Sequence, residues 1–165
     1  MSDEIRTERL LMRRATMADL EAIHALLSNP VAMRYWSSPP HTELAESEAW
    51  LRSMVDADPV ASDDFIVEHE GLVIGKLGCW QLPEIGFLLD PAVWGRGLAS
   101  EAMAAFVDRR RHIGSPQRIR ADVDPRNAAS LRLLLKHGFV ETRRASRTWC
   151  IAGEWCDSVY LELTL

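Results

Sequence analysis

The stretch Glu84–Ala102, EIGFLLDPAVWGRGLASEA, holds the residues whose types and spacing point most directly to chemistry. An apolar run ends at Asp90-Pro91 and a helical pattern begins after Gly97, so Gly95-Arg96-Gly97 stands between a strand and a helix N-terminus. The first turn of a helix leaves backbone N–H groups without intrahelical partners, and with the helix dipole they favour an anion such as a phosphate. Glycines there let the backbone approach the anion closely and take positive φ, although the same pair also serves where a loop merely has to turn. Two familiar phosphate signatures fail. A dinucleotide fingerprint needs Gly or Ala where Ser100 stands, and this loop follows a run of adjacent strands instead of opening a β-α-β unit. A P-loop needs Gly-Lys-[Ser/Thr], which does not occur.

The surrounding pattern supplies the elements that must hold this segment. Leu10–Arg14 reads as a strand, Thr16–Ser28 as a helix with Thr16 as cap, and Thr42–Asp56 as a second helix. The buried face expected for the second helix is Leu44, Ala45, Ala49, Met54 and Val55, with Trp50 as ordinary packing at its edge. Asp64–His69 and Leu72–Trp80 flank Glu70-Gly71, a hairpin signal, and Glu84–Leu89 adds a third strand. A helix to about His112 follows the glycines, then a strand at Arg118–Val123 and a helix at Asn127–His137 with Leu131, Leu134 and Leu135 inward. Gly138 closes that helix, and two strands end the chain, around Val140–Arg147 and Trp155–Leu165. Arg109-Arg110-Arg111, in the last turn of a helix, reads as a solvated face that suits the dipole. The order is β-α-α-β-β-β-α-β-α-β-β, an α/β chain with a mixed sheet covered by helices.

Composition narrows the function classes. The 165 residues, 47% hydrophobic and 26% charged, fit one globular domain spanning 1–165. Nineteen basic against 24 acidic residues, a net charge of −5, do not describe an electrostatic nucleic-acid binder. No signal-peptide or membrane-helix pattern is present, and Cys79, Cys150 and Cys156 form no CxxC, so a reducing cytoplasm is expected. The five histidines show no zinc spacing, so no metal is expected. Half of the 12 aromatic residues are Trp.

The chain resembles the GNAT (GCN5-related) N-acetyltransferases, in particular the RimJ/RimL-like branch, over nearly its whole length. The family's acyl-CoA signature Gln/Arg-x-x-Gly-x-Gly/Ala reads Trp94-Gly95-Arg96-Gly97-Leu98-Ala99 here, with Trp at the first position. A second block, Asn127-Ala128-Ala129-Ser130 through Lys136-His137-Gly138-Phe139, is similar to the family's Asn-x-x-Ser…Lys-x-Gly-Phe. The resemblance implies the GNAT fold, a mostly antiparallel sheet of about seven strands with helices on both faces. It implies acetyl-CoA as co-substrate and a primary amine, on a protein N-terminus or a small molecule, as acceptor. The protein would be a monomer or homodimer without nucleic-acid or membrane partners. A CoA-binding sensor with weak or no catalysis is the alternative.

By the same resemblance, Gly95, Arg96, Gly97, Leu98, Ala99 and Ser100 would hold the CoA pyrophosphate. Phe87, Leu88 and Leu89 would pair with the pantetheine arm, which Asn127 would also reach, although Asn127 equally suits a helix N-cap. Glu84 is the candidate base. The position where many relatives carry a thiolate-protonating Tyr is Leu134 here, which leaves Ser130 as the candidate acid and Tyr160 as a weaker one. Trp36, Trp80, Trp149 and Trp155 are expected to wall the acceptor side. These segments carry no large acidic cluster, so a polycationic acceptor is not the first expectation.

Overall fold

The computed structural model describes residues 3–165. Met1 and Ser2, which open the acidic N-terminus, lie outside it. Among the described residues eight strands form one sheet: β1 Glu4–Arg6, β2 Leu10–Arg13, β3 Asp63–His69, β4 Leu72–Gln81, β5 Glu84–Leu89, β6 Arg118–Val123, β7 Val140–Ile151 and β8 Glu154–Thr164. Their spatial order is β1-β2-β3-β4-β5-β6-β8-β7, antiparallel throughout except for parallel β5 and β6. The sheet therefore has one strand more than expected, because Glu4–Arg6 pairs with Leu11–Arg13 ahead of the first anticipated strand. The α-helices among the described residues are α1 Leu20–Leu27, α2 Leu44–Val55, α3 Leu98–Ile113 and α4 Ala128–Lys136.

Strand alternation splits the apolar side chains between two cores. Phe65, Val67, Leu77 and Cys79 pack with Leu98, Met103 and Phe106 of α3 and Leu134 of α4. Ile66 and Leu88 point the other way, against Ile23 and Leu27 of α1 and Leu51 of α2. Helices thus cover both faces.

Two helix faces differ from expectation. In α2 the buried residues are Ser47 and Leu51, whereas Leu44, Ala45, Ala49 and Val55 are exposed and Met54 is half-buried. Ser47 is polar and so hid the true stripe; its hydroxyl sits 2.8 Å from Nδ1 of both His24 and His41. In α4, Leu134 is buried, Leu131 half-buried and Leu135 exposed, because a nine-residue helix lying on a sheet buries one narrow stripe.

The basic run at the end of α3 is the larger correction, since only Arg111 is solvated. Arg109 and Arg110 turn inward and, with Arg14, surround the carboxylate of Asp63, at 3.1, 3.0 and 2.9 Å. Arg110 also donates to the Ser115 carbonyl, and the guanidinium groups of Arg14 and Arg109 stand over the Phe65 ring. Burial alone would raise the Asp63 carboxyl, but hydrogen bonds and charge from the three arginines hold it below the usual carboxylate range.

Removing the negative partner of buried arginines is expensive. Asp63→Asn is expected to lower unfolding stability by about 3–5 kcal/mol, read from urea denaturation at neutral pH. Because the folded-state carboxyl is depressed, its contribution is present above the unfolded value near ~3.9 and is lost as pH falls through the folded value. The stability gap between the native protein and the variant therefore narrows on acidification; a gap constant down to the acid transition would contradict this account.

Candidate active site

β5 pairs with β4 along its whole length but meets β6 at one register position, Glu84 opposite Arg120. Beyond it the two strands separate, and a cavity of about 680 Å³ occupies the wedge. One wall is β5 from Ile85 to Leu89 and the other is Ala121–Asp124, at the end of β6. The N-terminal ends of α3 and α4 complete it through Gly95, Gly97–Ser100 and Asn127–Ser130.

The loop before α3 is shaped by specific contacts. Gly95 and Gly97 take φ of +75° and +78°, the left-handed region that glycine enters without strain. The Trp94 indole N–H donates to the Leu89 carbonyl at 3.0 Å, which explains a Trp at the head of this loop. The first backbone bond of α3 runs from Glu101 N–H to Gly97 O, so the N–H groups of its opening residues face outward for an external acceptor. From the far side Arg9 donates to Glu101 Oε2 at 2.7 Å and to the Arg96 carbonyl at 3.0 Å, and the Thr7 hydroxyl donates to Glu101 Oε1.

Sequence-predicted residues fall into place unevenly. Phe87, Leu88, Leu89, Gly95, Gly97, Leu98, Ala99, Ser100 and Asn127 line the cavity. Arg96 does not: its guanidinium donates to His69 Nε2 at 3.0 Å, while His69 Nδ1 lies 3.0 Å from the Arg9 carbonyl. Asn127 caps α4, its side chain accepting from the Ser130 N–H at 3.2 Å, so the cap and the lining position coincide. Ser130 lines the same wall. The Ser100 hydroxyl sits 2.9 Å from His137 Nε2, which ties the start of α3 to the end of α4. Burial and the adjacent Lys136 charge push the His137 imidazole below its ordinary value, towards the neutral form. Leu134 is fully buried in the core, and Tyr160 lies under the Arg143 guanidinium, outside both cavities.

A second cavity, of about 770 Å³, opens beside the first. Its wall includes Tyr35, Trp36, Trp50, Trp80 and Trp149. Trp50, expected to be plain packing, is therefore part of this wall. Trp155 is not, because Trp149 and Cys156 are cross-strand partners on one face of the β7–β8 ribbon and Trp155 faces the other way, with the Arg147 guanidinium over its ring. Glu84 lines this cavity, and its carboxylate has no hydrogen-bond or ion-pair partner among the described residues. Aspartates from several strands join it, which the segment-by-segment reading did not foresee: Asp64, Asp122, Asp124 and Asp157. Buried Lys76 contacts Asp64 at 2.7 Å.

The cavities share a border at Tyr35, Trp36, Ile85, Gly86, Asp122 and Asp124. A Cβ at Gly86 would lie 3.7 Å from both Trp36 and Lys76 Nζ and 3.8 Å from Trp80. The absent side chain keeps this passage open. No group of residues suited to hold a metal ion occurs among those described, and no helix is long and apolar enough to cross a membrane.

Comparison with known proteins agrees with this geometry. Residues 9–140 match the model of the acetyltransferase (GNAT) domain. An uncharacterized N-acetyltransferase of Bacillus subtilis, YoaA, is 32% identical over 148 residues, covering 82% of this chain and 81% of its own. Among solved structures, the Salmonella typhimurium acetyltransferase that modifies the N-terminal serine of ribosomal protein L7/L12 superposes with a TM-score of 0.87 at 17% identity, over 98% of this chain and 99% of that one. The spermidine N-acetyltransferase of Vibrio cholerae, solved with CoA and spermine, gives 0.82 at 23% identity over 96% of each chain. At such identities the structural matches speak for the fold, and the match across most of the chain speaks for descent: the chain belongs to the GNAT family of acetyltransferases.

Proposed function

We propose that the chain transfers the acetyl group of acetyl-CoA directly to a primary amine on a protein N-terminus or a small molecule. The observation that carries this reading is the meeting of two differently built cavities at Gly86. One offers backbone N–H groups and an open strand edge, and the other offers aromatic faces and carboxylates. The names of relatives span both acceptor kinds, ribosomal protein termini and spermidine.

Acetyl-CoA supplies an acyl group activated as a thioester. The residues present suit it. N–H groups at the start of α3 face the cavity and fit a pyrophosphate, with Gly95 leaving open space where a side chain would stand. The free side of β5, at Phe87–Leu89, offers strand-like hydrogen bonds to the amides of the pantetheine arm. An N–H of this edge near Phe87 would stabilise negative charge developing on the acyl oxygen.

Glu84 stands on the acceptor side, beside the border residues Ile85 and Gly86. Its unpartnered carboxylate accepts the proton that an ammonium must lose to become a nucleophile, directly or through water. Ser130, on the cofactor side, has no hydrogen bond from its hydroxyl among the described residues and donates to the departing sulfur, in place of the phenol that Leu134 precludes. A free base in one cavity and a free hydroxyl in the adjoining one favour turnover over a silent CoA sensor. The three cysteines are unbridged, which supports a reducing compartment such as the cytoplasm.

Three measurements test these roles. Gly95→Asp, a residue tolerant of positive φ, is expected to weaken CoA binding roughly tenfold or more by calorimetry, with Gly95→Asn much milder and the difference shrinking in salt. Equal affinities for the two variants would misplace the pyrophosphate. Glu84→Gln should lower amine turnover by about 10²–10⁴-fold with CoA affinity unchanged, the range a general base supplies. Ser130→Ala should lower the rate of thiol release while the Asn127 cap keeps the fold; an undiminished rate would remove Ser130 as acid.

A further inference from the structure

The acceptor cavity is lopsided in charge. Five carboxylates line it, Asp64, Glu84, Asp122, Asp124 and Asp157, against one cation, Lys76. That cation is already committed. Lys76 is 2% exposed, its Nζ lies 2.7 Å from Asp64 Oδ2, and it donates also to the Gly86 carbonyl. Arg126, which lines the adjoining cofactor cavity, is held by Asp124 at 2.7 Å and Glu154 at 2.6 Å. Arg34, which lies over the Tyr35 ring, belongs to the lining of the cofactor cavity. A carboxylate entering the acceptor cavity therefore meets no uncommitted cation.

The anions on the wall are less fully matched. Asp122 accepts from the Trp149 indole and Asp157 from the backbone N–H of Arg147, neutral donors that leave both charges in place. Glu84 has no partner among the described residues. The remaining wall is aromatic, and indole faces attract cations while burying flat apolar bodies. The bond from Trp149 to Asp122 does two things, since it fixes the ring and sets a carboxylate at its edge.

Building on acetyl transfer as read above, we propose that this cavity selects cationic arylalkylamines that carry no carboxylate and rejects the corresponding free α-amino acids. The ammonium faces the acidic side beside Gly86, and the aromatic body lies among Trp36, Trp80 and Trp149. In the step itself, Glu84 takes a proton from the ammonium. The amine nitrogen then forms its bond to the acyl carbon as the carbon–sulfur bond breaks. The Ser130 hydroxyl gives its proton to the departing sulfur and recovers one from the second N–H proton that the nascent amide sheds through water, so the net proton released is the one on Glu84.

Matched pairs isolate the carboxylate. Steady-state thiol release is measured with acetyl-CoA and tryptamine against L-tryptophan, phenethylamine against L-phenylalanine, and a C-terminally amidated hexapeptide with a free N-terminus. Each amine is expected to exceed its amino acid in kcat/KM by roughly 100-fold or more, as unpaired like charges demand. Ser53→Arg, which places a cation at an exposed position on the cavity wall, should narrow that ratio by raising turnover of the amino acids. Equal or better turnover of either amino acid would overturn the proposed selectivity while leaving acetyl transfer intact, as would a peptide preferred over both amines. Silence with every acceptor would overturn acetyl transfer itself, and the selectivity with it.

Discussion

The site depends on a sheet that stops pairing. Parallel β5 and β6 share one register position, Glu84 with Arg120, and then separate. Backbone groups left without partners are costly unless something satisfies them, so the diverging strands hold open a demand for hydrogen bonds. The strands stay apart because each is anchored elsewhere, β5 along its full length to β4 and β6 along its full length to β8. The packed cores on the two faces keep the gap from closing, since Leu88 is committed to α1 and α2 while Ile85 and Leu89 are committed to α3.

Two helices open onto the same wedge, and they are tied together. The hydrogen bond between Ser100 and His137 links the first turn of α3 to the C-terminal cap of α4. On the outer side, Glu101 gathers Thr7 and Arg9, and Arg9 reaches the Arg96 carbonyl, so the β1–β2 corner braces the glycine loop from behind. Asp63 does similar work at the far end of α3, where Arg109 and Arg110 meet it on β3. The helix is thus fixed at both ends relative to the sheet, and the orientation of its open N–H groups follows from that.

Much of this was legible in the residues themselves. Strand alternation, the turn at Glu70-Gly71, the glycines at Gly95 and Gly97, the Asn127 cap and the stop at Gly138 are local signals, each decided by a few adjacent dihedrals. What escaped needed partners distant in sequence. Arg110 looks like a surface cation until Asp63, 47 residues earlier, is brought beside it. Ser47 conceals the buried stripe of α2 because one of its two histidine partners, His24, comes from α1, 23 residues earlier. The face taken by Trp155 follows from register shifts in the β7–β8 ribbon between Ala145 and Trp149, where Arg147 adopts φ of 53°. Leu134 in place of a Tyr was visible from the family pattern, yet its burial in the core is a property of packing.

The two cavities draw on different parts of the chain. The cavity at the helix N-termini is lined mainly by residues 86–100 and 121–133 together with residues 31–36, the aromatic cavity largely by residues 35–64 and 149–157, with Gly86 at their border. The two cavities are thus built partly from separate stretches and partly from the shared residues Tyr35, Trp36, Ile85, Gly86, Asp122 and Asp124. A change in α2 or the terminal ribbon alters the larger, aromatic cavity, while a change in the glycine loop or at the start of α4 alters the smaller one. Substitutions at the shared border, Gly86 among them, alter both cavities at once, so a change there cannot reshape one without the other.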